Sequence, residues 1–100
     1  MLLHIPGLFS REEVQRIRQT ILETPGVLGA HDLRTRKMGD MIIVDAHIEV
    51  DATQTVEAGH DIAVEARRRV MAAFPVLSVM THVDPRKRET AVEAAALHRN

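Results

Sequence analysis

Apolar residues recur along this chain first at helical spacing, then at strand spacing, and then once more in each form. Val14, Ile17, Ile21 and Leu22 fall three, four and one places apart, which puts them on one face of a helix over 11–24. Ser10 precedes that stripe with Glu13 three places on, a capping box, and Thr24-Pro25-Gly26 stops the helix. Residues 27–36 read as a strand and Lys37-Met38-Gly39-Asp40 as a hairpin turn. In the next segment Ile42, Val44, Ala46, Ile48 and Val50 alternate with Met41, Ile43, Asp45, His47 and Glu49. The even positions therefore face a core, and Asp45, His47 and Glu49 share the other face of the sheet. Thr55 is placed to cap a second helix that reaches about Phe74, with Glu57 near its positive end. Val56, Ala63, Ala66, Val70 and Phe74 form its expected buried stripe, and Pro75 breaks it. Residues 76–83 read as a third strand that Pro85 ends. The order α-β-β-α-β predicts an α+β two-layer sandwich of ferredoxin-like, metallochaperone-like type over residues 10–85. Residues 1–9 read as an irregular lead-in and 86–100 as a charged, Ala-rich tail.

Composition narrows what such a domain can be. With two phenylalanines and neither tryptophan nor tyrosine, the core must be built from Leu, Ile, Val, Met and Ala. A small domain this lean commonly gains stability from oligomerisation or bound metal. The absence of cysteine removes disulfides and thiolate ligands, and it fits a reducing compartment. A net charge of −1 supplies no basic field for nucleic acid, and no exposed aromatics are expected to serve as stacking platforms. No apolar run approaches the roughly 20 residues that span a bilayer. The amino terminus also lacks a basic segment followed by an apolar one. The chain is thus expected to be soluble, with no membrane insertion of its own and no means of moving an ion across a bilayer unaided. Arg34, Arg36 and Lys37 near the hairpin, and Arg67-Arg68-Arg69 on the second helix, read as solvated surface with helical pairs such as Glu65–Arg69. The other reading of these basic groups is contact with a partner domain or an anionic membrane surface.

Six histidines remain to be explained. The candidate ligands are His31 and Asp32 on the first strand, Asp45, His47 and Glu49 on the second, His60 and Asp61 on the second helix, and His82 with Asp84 at the end of the third strand. A spacing of two makes His82 and Asp84 co-facial, and likewise Asp45 and His47. The hairpin can set His31 opposite His47. Imidazole and carboxylate donors suit Zn²⁺ and are acceptable to Fe²⁺, Mn²⁺, Cd²⁺, Ni²⁺ or Co²⁺. Each residue also has an ordinary reading: a solvent-facing strand histidine, a helix histidine packed beside an apolar stripe, an aspartate capping a turn. Spacing alone leaves both open.

Four segments carry a resemblance that goes further: Gly29-Ala30-His31-Asp32-Leu33-Arg34-Thr35-Arg36, Val44-Asp45-Ala46-His47-Ile48-Glu49-Val50, Glu57-Ala58-Gly59-His60 and Thr81-His82-Val83-Asp84-Pro85. In this order and spacing they resemble the C-terminal cytoplasmic domain of cation diffusion facilitators, in particular the bacterial zinc and ferrous-iron efflux members. The resemblance runs from about residue 10 to residue 85. It implies that His31, His47, His60, His82 and Asp84 are metal ligands of a two-metal site near a homodimer interface, with Asp84 the bridge. Asp32, Asp45, Glu49 and Asp61 would stand around those ligands or on the surface, and His4 and His98 would face solvent. The implied function is a cytoplasmic domain that senses divalent metal, most readily Zn²⁺, and regulates a cation efflux transporter. The implied partner is that transporter's transmembrane domain, which is absent from this chain. On this hypothesis a V-shaped dimer tightens when metal neutralises facing His and Asp groups.

Three rivals carry different expectations. A stand-alone soluble metal-binding homologue needs no membrane half. A metal-free ferredoxin-like dimerisation module would melt at the same temperature with and without metal. An iron-dependent enzyme would use His82-x-Asp84 as part of a facial triad, but the only downstream histidine is His98 in the expected tail, so no enzyme activity is expected.

Overall fold

The computed structural model describes residues 10–39 and 41–87. The first helix, α1, spans Arg11–Leu22. Its start is the expected capping box. The Glu13 amide donates to Ser10 Oγ at 3.1 Å, and the Ser10 amide donates to Glu13 Oε1 at 3.0 Å. Its last turn is shorter than the apolar pattern predicts, ending at Leu22 with Glu23 as cap. The lead-in at 1–9 and most of the tail lie outside the described residues.

Strands β1 (Gly29–Met38) and β2 (Met41–Asp51) form an antiparallel hairpin. β1 begins and ends two residues later than the expected 27–36, so the strands pair up to Met38 and Met41, nearer the turn than expected. Gly39 has φ +63°, the left-handed conformation that a two-residue hairpin turn demands. Helix α2 (Val56–Ala73) then crosses back, and β3 (Ser78–Arg86) runs parallel to β2. The sheet order is β1-β2-β3. Thr55 caps α2 as expected, its Oγ1 accepting from the Ala58 amide at 3.0 Å.

Two expectations need correction. Val56 is not part of the buried stripe: at the first position of α2 it is 92% exposed. Pro85 does not end the third strand, which continues to Arg86. β3 lies at the sheet edge, where proline's missing N–H costs no ladder bond on the solvent side, and Pro85 pairs in register with Val50.

The core lies between the helices and one face of the sheet. Ile17 and Ile21 from α1, Val44, Ala46 and Ile48 from β2, and Ala66 and Val70 from α2 are all fully buried. Small residues on α2, among them Gly59, Ala63 and Ala66, let that helix lie close against the strands. Val44, Ala46, Ile48 and Val50 of β2 are committed to this core, so Asp45, His47 and Glu49 point to the face that neither α1 nor α2 covers.

Strand β1 would not match that pattern without an irregularity. His31 pairs with His47 but Arg34 pairs with Asp45, so two residues, Asp32 and Leu33, oppose Ala46 alone. This bulge reverses the side-chain alternation of β1. His31 before it and Arg34 and Arg36 after it consequently share the uncovered face, while Leu33 packs on the core. Asp32 occupies the bulge with φ +54°, a conformation that Asp tolerates better than most residues.

Candidate metal centre

Across the uncovered face, His31, His47 and His82 stand in one row, paired in register across all three strands. Their rings stack: the His31 and His47 centroids are 5.2 Å apart at 21°, and those of His47 and His82 are 4.7 Å apart at 17°. The hairpin and the parallel crossover thus bring together three histidines separated by 16 and 35 positions in sequence.

Asp84 lies one row further along β3. Its Oδ2 is 2.9 Å from His47 Nδ1 and 3.5 Å from His31 Nε2. One ligand atom each from His31, His47 and Asp84 can be chosen so that all lie within 4.8 Å of one another. Donors on a tetrahedral ion with bonds of 2.0–2.1 Å are about 3.3 Å apart, so these two separations bracket the spacing a bound ion requires. A proton on His47 Nδ1 donates to Asp84, and a divalent ion could take that proton's place. The donor set of two imidazoles and one carboxylate fits a borderline transition-metal ion, with room for a further ligand.

The neighbouring acids are differently engaged. Arg36 holds Asp45 through Nε at 3.0 Å and Nη2 at 3.3 Å. Arg86 holds Glu49 through Nη2 at 2.7 Å and Nε at 3.2 Å. The hydrogen-bonded Arg86 guanidinium keeps the Glu49 carboxyl below its ordinary range, although burial acts against it. Glu49 Oε1 also stands 3.7 Å from His31 Nδ1, on the side of the ring away from Asp84. Asp32 makes a 3.5 Å ion pair with Arg34, and Asp61 is exposed on α2.

The structure therefore gathers four of the five expected ligands on one face, with His31, His47 and Asp84 converging and His82 stacked at the edge of the group. His60 is not among them. It lines a groove of about 400 Å³ with Gly59, Val83 and Pro85, on the helix side of the sheet. Val83 pairs with the buried Ile48, so that groove and the histidine row lie on opposite faces. Within one chain His60 is thus separated from the cluster. His98, which an iron-dependent triad would need, lies outside the described residues.

Sequence reasoning missed the two arginine–carboxylate pairs that flank the histidine row. Arg86 falls in the expected tail when Pro85 is read as the end of β3. The available signal was its spacing of two from Asp84, which makes them co-facial once an edge strand is allowed to contain proline.

The fold and its open-face cluster define a class: a ferredoxin-like α+β domain with metal-ligand chemistry on its uncovered sheet. The chain belongs to a particular family within it, described as "Cation efflux protein, cytoplasmic domain", whose profile matches residues 9–86. It is 41% identical over 71 residues to the cation-efflux pump FieF of Shewanella oneidensis, an alignment covering 71% of this chain and 24% of that protein. It is 39% identical over 75 residues to metal tolerance protein C1 of Arabidopsis thaliana, covering 74% of this chain and 16% of that protein. The chain thus spans a quarter or less of the curated relatives' length. Among solved structures it is similar to MamM CTD. A cadmium form of a variant superposes with TM-score 0.70 at 32% identity, covering 77% of this chain and 99% of that one. A nickel form is also known. Among the described residues no helix is long and apolar enough to cross a membrane.

Proposed function

We propose that this domain binds a divalent transition-metal ion on its uncovered sheet face and, as a homodimer, reports that binding to the membrane half of a cation efflux transporter. The observation that carries this reading is the convergence of His31, His47 and Asp84 to within 4.8 Å. His82, stacked on His47, is the next donor in line, and Asp84, with two carboxylate oxygens, is the expected bridge between two ions. His60 reaches such a site only from a second copy, since its own sheet separates it from the cluster. The similarity to cation-efflux pumps, to a metal tolerance protein and to MamM CTD in cadmium and nickel forms supports a metal role.

The mechanism follows from charge. Asp45, Glu49 and Asp84 line the face, but Asp45 and Glu49 are each neutralised by an arginine. Asp84 has instead the imidazoles of His31 and His47 as its close partners among the described residues. When two such faces approach in a dimer, the Asp84 carboxylates repel, and a bound divalent ion converts that repulsion into attraction. Closure of the dimer would then shift the attached membrane domain between its states, because the ion favours the closed one. Zn²⁺ is the expected ion, with Fe²⁺, Cd²⁺, Mn²⁺, Co²⁺ and Ni²⁺ as competitors for the same donors.

Titration calorimetry with Zn²⁺ at neutral pH, on the chain and on a His82→Ala/Asp84→Ala variant, tests the site. Sedimentation velocity with and without Zn²⁺ tests the dimer. Absence of binding, or binding unchanged by the double substitution, refutes the metal site and leaves a plain dimerisation module.

A further inference from the structure

The Glu49–Arg86 pair borders the histidine row and has no role in the binding just described. Glu49 is close enough to matter: its Oε1 is 3.7 Å from His31 Nδ1, while Asp84 Oδ2 faces the other nitrogen of the same ring at 3.5 Å. A free carboxylate at that distance from an ion-binding cluster would be drawn in as an additional ligand. Glu49 is not free. Arg86 grips both of its oxygens, and Arg86 Nη1 is anchored in turn on the Leu28 carbonyl at 3.1 Å. The pair lies directly over Gly29. A Cβ added there would come 2.4 Å from Glu49 Oε1 and 2.7 Å from Arg86 Nη2. Three elements, the β1 backbone, a β2 carboxylate and a β3 guanidinium, thus form one fixed assembly beside the cluster.

We infer that Arg86 is a positioning residue that keeps Glu49 as the outer carboxylate partner of His31 and withholds it from the metal, with Gly29 providing the space. This rests on the metal-site reading above. With Glu49 withheld, the donors from this face are imidazole-rich and favour borderline ions such as Zn²⁺ or Co²⁺. With Glu49 released, a second carboxylate would join and the preference would move toward oxygen-seeking Mn²⁺. In its outer position Glu49 Oε1 instead faces His31 Nδ1 at 3.7 Å, which favours the tautomer protonated at Nδ1 and leaves Nε2 for the ion.

The test compares Zn²⁺ and Mn²⁺ affinities by competition calorimetry, and the visible absorption of the Co²⁺ form, in the unsubstituted chain and its variants. Arg86→Ala is expected to lower the Zn²⁺/Mn²⁺ affinity ratio about tenfold or more, the scale of outer-partner effects at metal sites. It should also weaken the Co²⁺ bands as coordination number rises. Adding Glu49→Gln to Arg86→Ala should restore both toward the original values, which a merely structural role for Arg86 would not do. If Arg86→Ala does not fold, as judged by its metal-free melting curve, Gly29→Ala displaces the same pair from the opposite strand and should give the same shift. An unchanged ratio and spectrum in a folded variant, with the unsubstituted chain binding Zn²⁺, overturns this role for Arg86 and leaves the metal site standing. No Zn²⁺ binding by the unsubstituted chain overturns both.

Discussion

His47 and Asp84 meet diagonally across the parallel β2–β3 ladder. His47 is in register with His82, and Asp84 with Glu49, yet His47 Nδ1 and Asp84 Oδ2 are 2.9 Å apart. The diagonal leaves the His47 ring stacked on its register partner while its nitrogen engages the next row. A β3 shifted by one residue would turn Asp84 to the core side, so the contact depends on the register that the crossover helix sets.

Asp84→Asn tests that contact most directly. The amide keeps the shape and removes the negative charge, so Zn²⁺ affinity should fall at least about tenfold while the metal-free fold persists. Acidification should act in the same direction, because the ligand imidazoles must be deprotonated to bind. Affinity measured by calorimetry should therefore decline on acidification of the unsubstituted chain, as protons compete with the ion for the donors. A pH-independent affinity would exclude histidine from the ligand set.

The bulge at Asp32 makes a second prediction. A left-handed conformation costs a residue with a Cβ roughly 1–2 kcal/mol, and Asp offsets part of that with its short polar side chain. Asp32→Ala should therefore destabilise the domain by about 1 kcal/mol in urea unfolding, and Asp32→Gly should be neutral or stabilising. If Ala and Gly were equivalent at this position, the bulge would not rest on the φ of +54°.

How far these features were legible in the sequence depended on their range. The core face of β2 was readable because Val44, Ala46, Ile48 and Val50 alternate with polar neighbours, and period-2 alternation needs no tertiary knowledge. The Ser10–Glu13 and Thr55 caps were equally local. The bulge was not readable, since Asp32 and Leu33 look like ordinary strand residues until the register on both sides of them is known. Val56 was misassigned because helical periodicity gives a face but not how far along the helix that face is covered. At the site, His31, His47, His82 and Asp84 were all named in advance from spacing and resemblance. The pairing of Arg36 with Asp45 and of Arg86 with Glu49 was not legible, because those pairs span nine and 37 positions.

The core predicts its own weak point. Ile21 is fully buried at the end of α1, in a core cluster of aliphatic side chains against which Phe74 packs only partly buried. Ile21→Ala should cost about 2–5 kcal/mol in urea unfolding, the range for truncating a buried aliphatic side chain. Val64→Ala, at an exposed position of α2, should change stability by less than about 0.5 kcal/mol. A small cost at Ile21 would mean that α1 is not packed as described.

Helix α2 carries a pH-dependent element away from the metal face. Glu65 accepts from Arg68 through Nε at 2.9 Å and Nη2 at 2.8 Å, and from Arg69 Nε at 2.6 Å. Hydrogen bonds from Arg68 first, and then Arg69, lower its pKa from 4.5 to about 2. A carboxylate whose folded-state pKa is depressed stabilises the fold above its unfolded value, and that contribution is lost as pH falls through the folded value. Glu65→Gln should therefore lower the melting temperature at neutral pH by a small, salt-sensitive amount, as befits solvent-exposed pairs. Between pH 4.5 and about 2 the two melting curves should converge, because the unsubstituted chain loses the charge that the variant never had. A difference that persisted at the acid end of that window, or that ignored salt, would mean that Glu65 acts through packing rather than through its charge.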